Sequence, residues 1–127
     1  MNNLVVYLGW LNVALLLSTV SSFLSAKLNK HIVKNKSKFL LRIIKVSHKI
    51  HRVSGLLFII FAIIHGYLAF NGFIFFHSGY ILFLAILLTA CFGIIFAIKK
   101  NATFLKAHKL SAMLVVILLF WHIISVN

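Results

Sequence analysis

Seven histidines stand in a chain of 127 residues that has no aspartate, no glutamate and a single cysteine. Four of them keep one spacing: His51 and His65 are 14 residues apart, and so are His108 and His122. Imidazoles ligate metals, shuttle protons or pack as polar core groups, and here none can draw on a carboxylate. The missing acids exclude a Ser-His-Asp triad, a paired-carboxylate glycosidase and a carboxylate cage for calcium. One cysteine excludes a disulfide framework, a Cys-rich zinc site and C-x-x-C-H attachment of c-type haem. Cys91 itself, inside an apolar run, reads as a small apolar side chain. Fourteen residues make almost four helical turns, so each histidine pair shares a face with its members about 21 Å apart along the axis.

The elements that must position these groups are membrane helices. Hydrophobic residues make up 63% of the chain, charged residues 10%, and the mean hydropathy is +1.12. A soluble domain carries roughly a quarter charged residues of both signs, so a soluble reading fails, and with it a nucleic-acid partner for the basic side chains. A spanning helix needs about 20 mostly apolar residues. Four segments qualify, at about 4–26, 49–70, 73–98 and 104–126. The expected fold is all-α: an integral membrane four-helix bundle forming one domain over 1–127. A cleaved signal peptide fits the first segment poorly, because Met1-Asn2-Asn3 has no basic residue ahead of it.

All 13 basic residues fall at two junctions. Lys27, Lys30, Lys34, Lys36, Lys38, Arg42, Lys45, Lys49 and Arg52 lie at or between the ends of the first two segments. Lys99, Lys100, Lys106 and Lys109 flank the junction of the third and fourth. The Asn71–Gly79 turn and both chain ends carry none. The positive-inside rule then puts both termini outside and both basic junctions in the cytoplasm, with a bacterial cytoplasmic membrane as the expected setting. Within the basic segment 27–48, residues 36–48 mix apolar and basic side chains, as a short helix on anionic lipid would. Trp10 and Trp121 fit an aromatic belt at the outer ends of their helices.

On that topology the second and fourth helices run the same way. His51 and His108 share a depth near the cytoplasm, and His65 and His122 share one near the exterior. A short repeat surrounds the inner pair: His51-Arg52-Val53-Ser54-Gly55 aligns with His108-Lys109-Leu110-Ser111-Ala112. Ser54 and Ser111 follow the histidine by three, and the small Gly55 and Ala112 by four, on or beside its face. Gly79 and Gly93, also 14 apart, either make room for two flat rings or serve ordinary small-residue packing. Two imidazoles per depth suit the iron of haem b, which accepts one on each face; zinc or copper normally takes three or four protein ligands. Two haems b are therefore expected. Lys49, Arg52, Lys106 and Lys109 are placed to pair with inner propionates, and Asn71, Ser78, Tyr80 and Ser125 are left to serve the outer ones. Phe58, seven residues from both His51 and His65, lies midway on the same face. His31 reads as solvated, His48 as interfacial, and His77 as solvent-facing, with assistance to the outer site as its other role.

At His51-Arg52-x-x-Gly55…His65 and His108-Lys109…His122 the chain resembles the ferric reductase-like transmembrane domain. That family includes ferric reductases, NADPH oxidases and the membrane haem subunit of the bacterial methionine sulfoxide reductase system. The resemblance implies an inner haem on His51 and His108, an outer haem on His65 and His122, and transmembrane electron transfer. Family members typically have six helices, whereas four are expected here. No flavin- or nicotinamide-binding domain is read in the chain. A separate donor, either a flavoprotein dehydrogenase or a quinol, is thus expected, with an extracytoplasmic acceptor, membrane lipid and a possible homo- or hetero-oligomer as further partners. Two other readings stand beside this one: a His-based metal-ion or proton transporter or channel, and a non-catalytic membrane assembly subunit. The lack of acidic residues weighs against the former.

Overall fold

A computed structural model of the chain describes residues 3–31, 38–70 and 77–126, apart from the side chains at 22, 29, 31 and 40. Within them the protein is all-helical: α1 (Asn3–His31), α2 (Lys38–Ala69), α3 (Ser78–Lys99) and α4 (Ala102–Val126). All four helices are long and apolar enough to cross a membrane. Large apolar side chains such as Tyr7, Leu17, Ile98, Met113 and Ile124 are exposed. Surfaces of that kind belong against lipid, where the backbone must also satisfy its own hydrogen bonds within helices.

The second helix differs from its hydropathic reading. Residues 38–48 are not a separate interfacial helix; they are continuous with α2, which starts at Lys38 rather than near Lys49. No proline or glycine interrupts the chain between Lys38 and Gly55, and the Leu, Ile, Lys and Arg residues there are adequate helix formers. Lys34, Lys36, Asn71 and the expected helix start at Phe73 lie outside the described residues.

The third and fourth helices are joined by a tight turn. Lys100 adopts a left-handed conformation with φ 54° and its N–H donates to Phe96 O at 2.9 Å. Asn101 Oδ1 then accepts from Thr103 N at 2.8 Å, closing the first turn of α4 as an N-cap does.

The chain divides into two compact units, Met1–His65 and Gly66–Asn127, with the boundary inside α2. The first unit is an antiparallel hairpin of α1 and α2: the ring of His51 meets Thr19, and that of His65 meets Val5 and Gly9. The second is an antiparallel hairpin of α3 and α4, where His108 meets Thr89 and Gly93, and His122 meets Ser78 and Gly79.

Each hairpin is the other's copy. An offset of 70 residues carries Gly9 to Gly79, Asn12 to Leu82, Leu16 to Ile86 and Thr19 to Thr89. An offset of 57 carries His51 to His108, Ser54 to Ser111, Phe58 to Val115 and His65 to His122. Asn12, Leu16, Ser54 and Phe58 are buried, and so are Leu82, Ile86, Ser111 and Val115. Along α1 the seam runs 9, 12, 16, 19, and along α2 it runs 51, 54, 58, 65. These steps of three, four and, from 58 to 65, seven residues are the heptad seam of paired helices. Fourteen residues are two heptads, which is why both histidines of a helix keep the same position on it. Lipid offers no hydrophobic drive for helices to associate, so close packing and interhelical hydrogen bonds must hold each hairpin.

Candidate histidine site

Three of the four spaced histidines are held by main-chain carbonyls of the facing helix. His51 Nδ1 lies 3.0 Å from Thr19 O, His65 Nδ1 lies 3.0 Å from Val5 O, and His108 Nδ1 lies 2.8 Å from Thr89 O. A carbonyl only accepts, so in each case Nδ1 carries the proton and donates it. The neutral ring then has Nε2 as its basic nitrogen. The threonine hydroxyls beside these acceptors are turned back into their own helices, Thr19 Oγ1 donating to Leu16 O at 2.7 Å and Thr89 Oγ1 to Ala85 O at 2.8 Å.

Glycine makes this approach possible. A helix carbonyl points along the axis toward residue i+4, so a ring that reaches the carbonyl lies over that residue. Past Val5 it is Gly9, and past Thr89 it is Gly93. A Cβ on Gly9 would stand 3.3 Å from His65 Cε1, and one on Gly93 would stand 3.1 Å from both His108 Cε1 and Nδ1. Past Thr19 the residue is not a glycine but Phe23, whose side chain is 46% exposed.

The fourth histidine is held differently. His122 Nδ1 lies 3.0 Å from Ser78 Oγ, Ser78 Oγ lies 2.8 Å from Ser125 Oγ, and Ser125 Oγ donates to His122 O at 2.9 Å. Beneath the ring a Cβ on Gly79 would stand 3.1 Å from His122 Cε1. His77 packs edge-on against His122 with ring centroids 5.6 Å apart, and against Phe70 at 5.1 Å. Its Nδ1 accepts from Gly79 N at 3.0 Å as the N-cap of α3.

These contacts correct the readings of His77 and of residues 38–48, and give the glycines and serines partners within their own hairpin. Gly79 and Gly93 seat the imidazoles of His122 and His108 themselves, so the closest ring over each is a histidine of the same hairpin. Ser78 and Ser125 lie in a hydrogen-bonded cluster with His122, contacts that the sequence reading did not assign to them. His77 is a half-buried helix cap against His122 rather than a solvent-facing side chain. Residues 38–48, as above, belong to α2.

Other predicted residues take varied places. Ser54, Ser111 and Phe58 are buried on the seam, and Ser111 Oγ donates back to His108 O at 3.1 Å. A Cβ on Gly55 would meet nothing within 4 Å, and Ala112, its counterpart, is half-buried. Arg52, Lys109, Lys49, Lys106 and His48 are exposed. Trp10, Trp121 and Cys91 are exposed as well. The His31 side chain lies outside the described residues. Among the described residues no group of three or more His, Cys, Asp or Glu converges on one point, the arrangement a zinc site would use.

Sequence reasoning missed Val5, Gly9, Thr19 and Thr89, which hold three of the four rings. Their signal was present: Val5 and Thr19 are 14 residues apart, matching the histidine spacing. It also missed Asn12, which sits on the α1 seam seven residues from each of them. Asn12 is buried, donates to Leu8 O at 3.0 Å, and leaves Oδ1 with no hydrogen-bond partner among the described residues. No family model, curated protein or solved structure matches the chain.

Proposed function

We propose that the protein is a di-haem b membrane cytochrome that carries single electrons across the membrane. The observation that supports this most is the common state of the four spaced histidines. Each is anchored through Nδ1 to the facing helix, three on carbonyls that can only accept. Metal-binding histidines are typically oriented in this way, the second nitrogen's hydrogen bond fixing tautomer and ring plane. Neutral imidazoles are the ligands that haem iron would use, and four of them in this state support a reading with two haems.

His51, His108, His65 and His122 would hold two haems b. The pairing of His51 with His108 and of His65 with His122 is taken from helix order and the 14-residue spacing in the sequence. Haem held by these residues would supply a one-electron iron couple. Around it the chain's own residues would orient the ligands through Val5, Thr19, Thr89 and Ser78, space the two levels with Phe58, and lay small side chains at Gly55 and Ala112. Ser54 and Ser111 would line the same seam. Arg52 and Lys109, with Lys49 and Lys106, would face the propionates at the cytoplasmic level.

The charge asymmetry supports cytoplasmic basic junctions and external termini. The donor would be a flavoprotein dehydrogenase or a membrane quinol, and the acceptor an extracytoplasmic protein or small molecule, as the resemblance to ferric reductase-like domains implies. The purified chain is expected to give a dithionite-reduced b-type spectrum and two haems per chain by pyridine haemochrome. His65→Ala or His122→Ala should each remove one haem and leave the other. A colourless protein without haem overturns the reading.

A further inference from the structure

We propose that Ser78 and Ser125 form a one-way proton relay that sets the tautomer of His122, making them positioning residues for that imidazole. The inference deepens the haem reading at one of its ligands, but its geometry stands without any haem. Ser125 Oγ lies 2.9 Å from the His122 carbonyl, which can only accept, and the relay gives the single hydroxyl proton to that bond. Toward Ser78, 2.8 Å away, Ser125 can therefore only accept. Ser78 must then donate its single proton to Ser125, and toward His122 Nδ1, 3.0 Å away, it in turn can only accept. His122 is left as the donor. The loop runs from His122 Nδ1–H through both hydroxyls to the main-chain carbonyl of the same residue.

In this arrangement each hydroxyl gives one hydrogen bond and accepts one; the reverse arrangement would withdraw the Ser125 proton from the His122 carbonyl. The result for His122 is the state that carbonyls impose outright on His51, His65 and His108. The neighbouring imidazole has the opposite polarity: His77 Nδ1 accepts from Gly79 N, so its neutral ring carries the proton on Nε2. Two imidazoles with centroids 5.6 Å apart are thus held in different tautomers, one by hydroxyls and one by a helix terminus. Since His77, not Ser78, caps α3, removal of the Ser78 hydroxyl leaves the helix start intact.

The experiment uses the full chain labelled with ¹⁵N-histidine, prepared without haem in detergent micelles and read by ¹H–¹⁵N correlation of the imidazoles. Wild-type His122 is expected to show its N–H at Nδ1. Ser78→Ala should move part or all of that signal to Nε2, Ser78→Thr should restore it to Nδ1, and Ser125→Ala should produce a smaller shift in the same direction. His65, held by a carbonyl, should keep Nδ1–H in every variant and so reports that the chain remains folded. An Nε2–H signal for His122 in the wild type, or an unchanged tautomer in Ser78→Ala, overturns the relay. Because these readings need no haem, a chain that binds none still decides the proposal, while its haem content separately decides the cytochrome reading.

Discussion

The two hairpins solve one problem with different parts. Each must hold two imidazoles 14 residues apart against a facing helix. In the second hairpin both rings lie over glycines, Gly93 and Gly79. In the first only His65 does, over Gly9, while the corresponding position beside His51 is Phe23. The first hairpin anchors both rings to main-chain carbonyls; the second uses one carbonyl and one hydroxyl pair. At mid-seam the first places buried Asn12 and Phe58 where the second places Leu82 and Val115. What is common to the copies is the ring orientation, and what varies is the chemistry that produces it.

Substitution at the glycines should separate the copies most strongly. Gly93→Ala would put a methyl 3.1 Å from two atoms of a ring that is itself tied to Thr89. The expected cost is about 1–3 kcal/mol, the range for forcing extra volume into a packed seam, read by thermal or detergent unfolding. Gly9→Ala, with a closest approach of 3.3 Å, should cost less. An equal or larger loss at Gly9 would show that the first hairpin tolerates no more than the second.

Exchanging mid-seam residues tests the orphaned acceptor. Asn12→Leu installs the residue its copy carries and removes a buried carboxamide oxygen that has no partner among the described residues. Leaving such a group unsatisfied costs about 1–3 kcal/mol, so the variant should unfold later by an amount in that range. Unchanged or lowered stability would mean that the oxygen is satisfied in the working protein.

The smallest effects are expected at two backbone positions. Gly55→Ala meets nothing within 4 Å and reproduces Ala112 of the other copy, so it should gain about 0.5–1 kcal/mol from helix propensity alone. Lys100→Gly should relieve a left-handed backbone, φ 54°, worth about 1 kcal/mol. A loss of stability in either variant would assign the side chain, or its absence, a role that the described contacts do not contain.

Much of the frame could be read from residue types. Four apolar runs became four helices, and the histidine spacing put each pair on one face, because both depend on period alone. The supporting groups were harder to see for a physical reason. Val5, Thr19 and Thr89 act through their carbonyls, and a carbonyl is the same in every residue, so no residue type marks them. Gly9 was legible only as the fourth residue after one of those carbonyls. The contacts of Ser78 and Ser125 with His122 were not legible, because residue types do not show which neighbours a hydroxyl will meet across a helix pair. The continuous α2 was obscured by its basic residues, which lower hydropathy without lowering helix propensity.

The carbonyl anchors also bear on what heredity can adjust. A change of codon at 5, 19 or 89 alters a side chain but leaves the acceptor in place. Three of the imidazoles are therefore shielded from point mutation at their anchors, and drift at those positions has little to act on. His122 is the exception, since one base change can delete the hydroxyl that receives its proton. If selection ever tunes one of the four rings without replacing it, position 78 is where the change would be written.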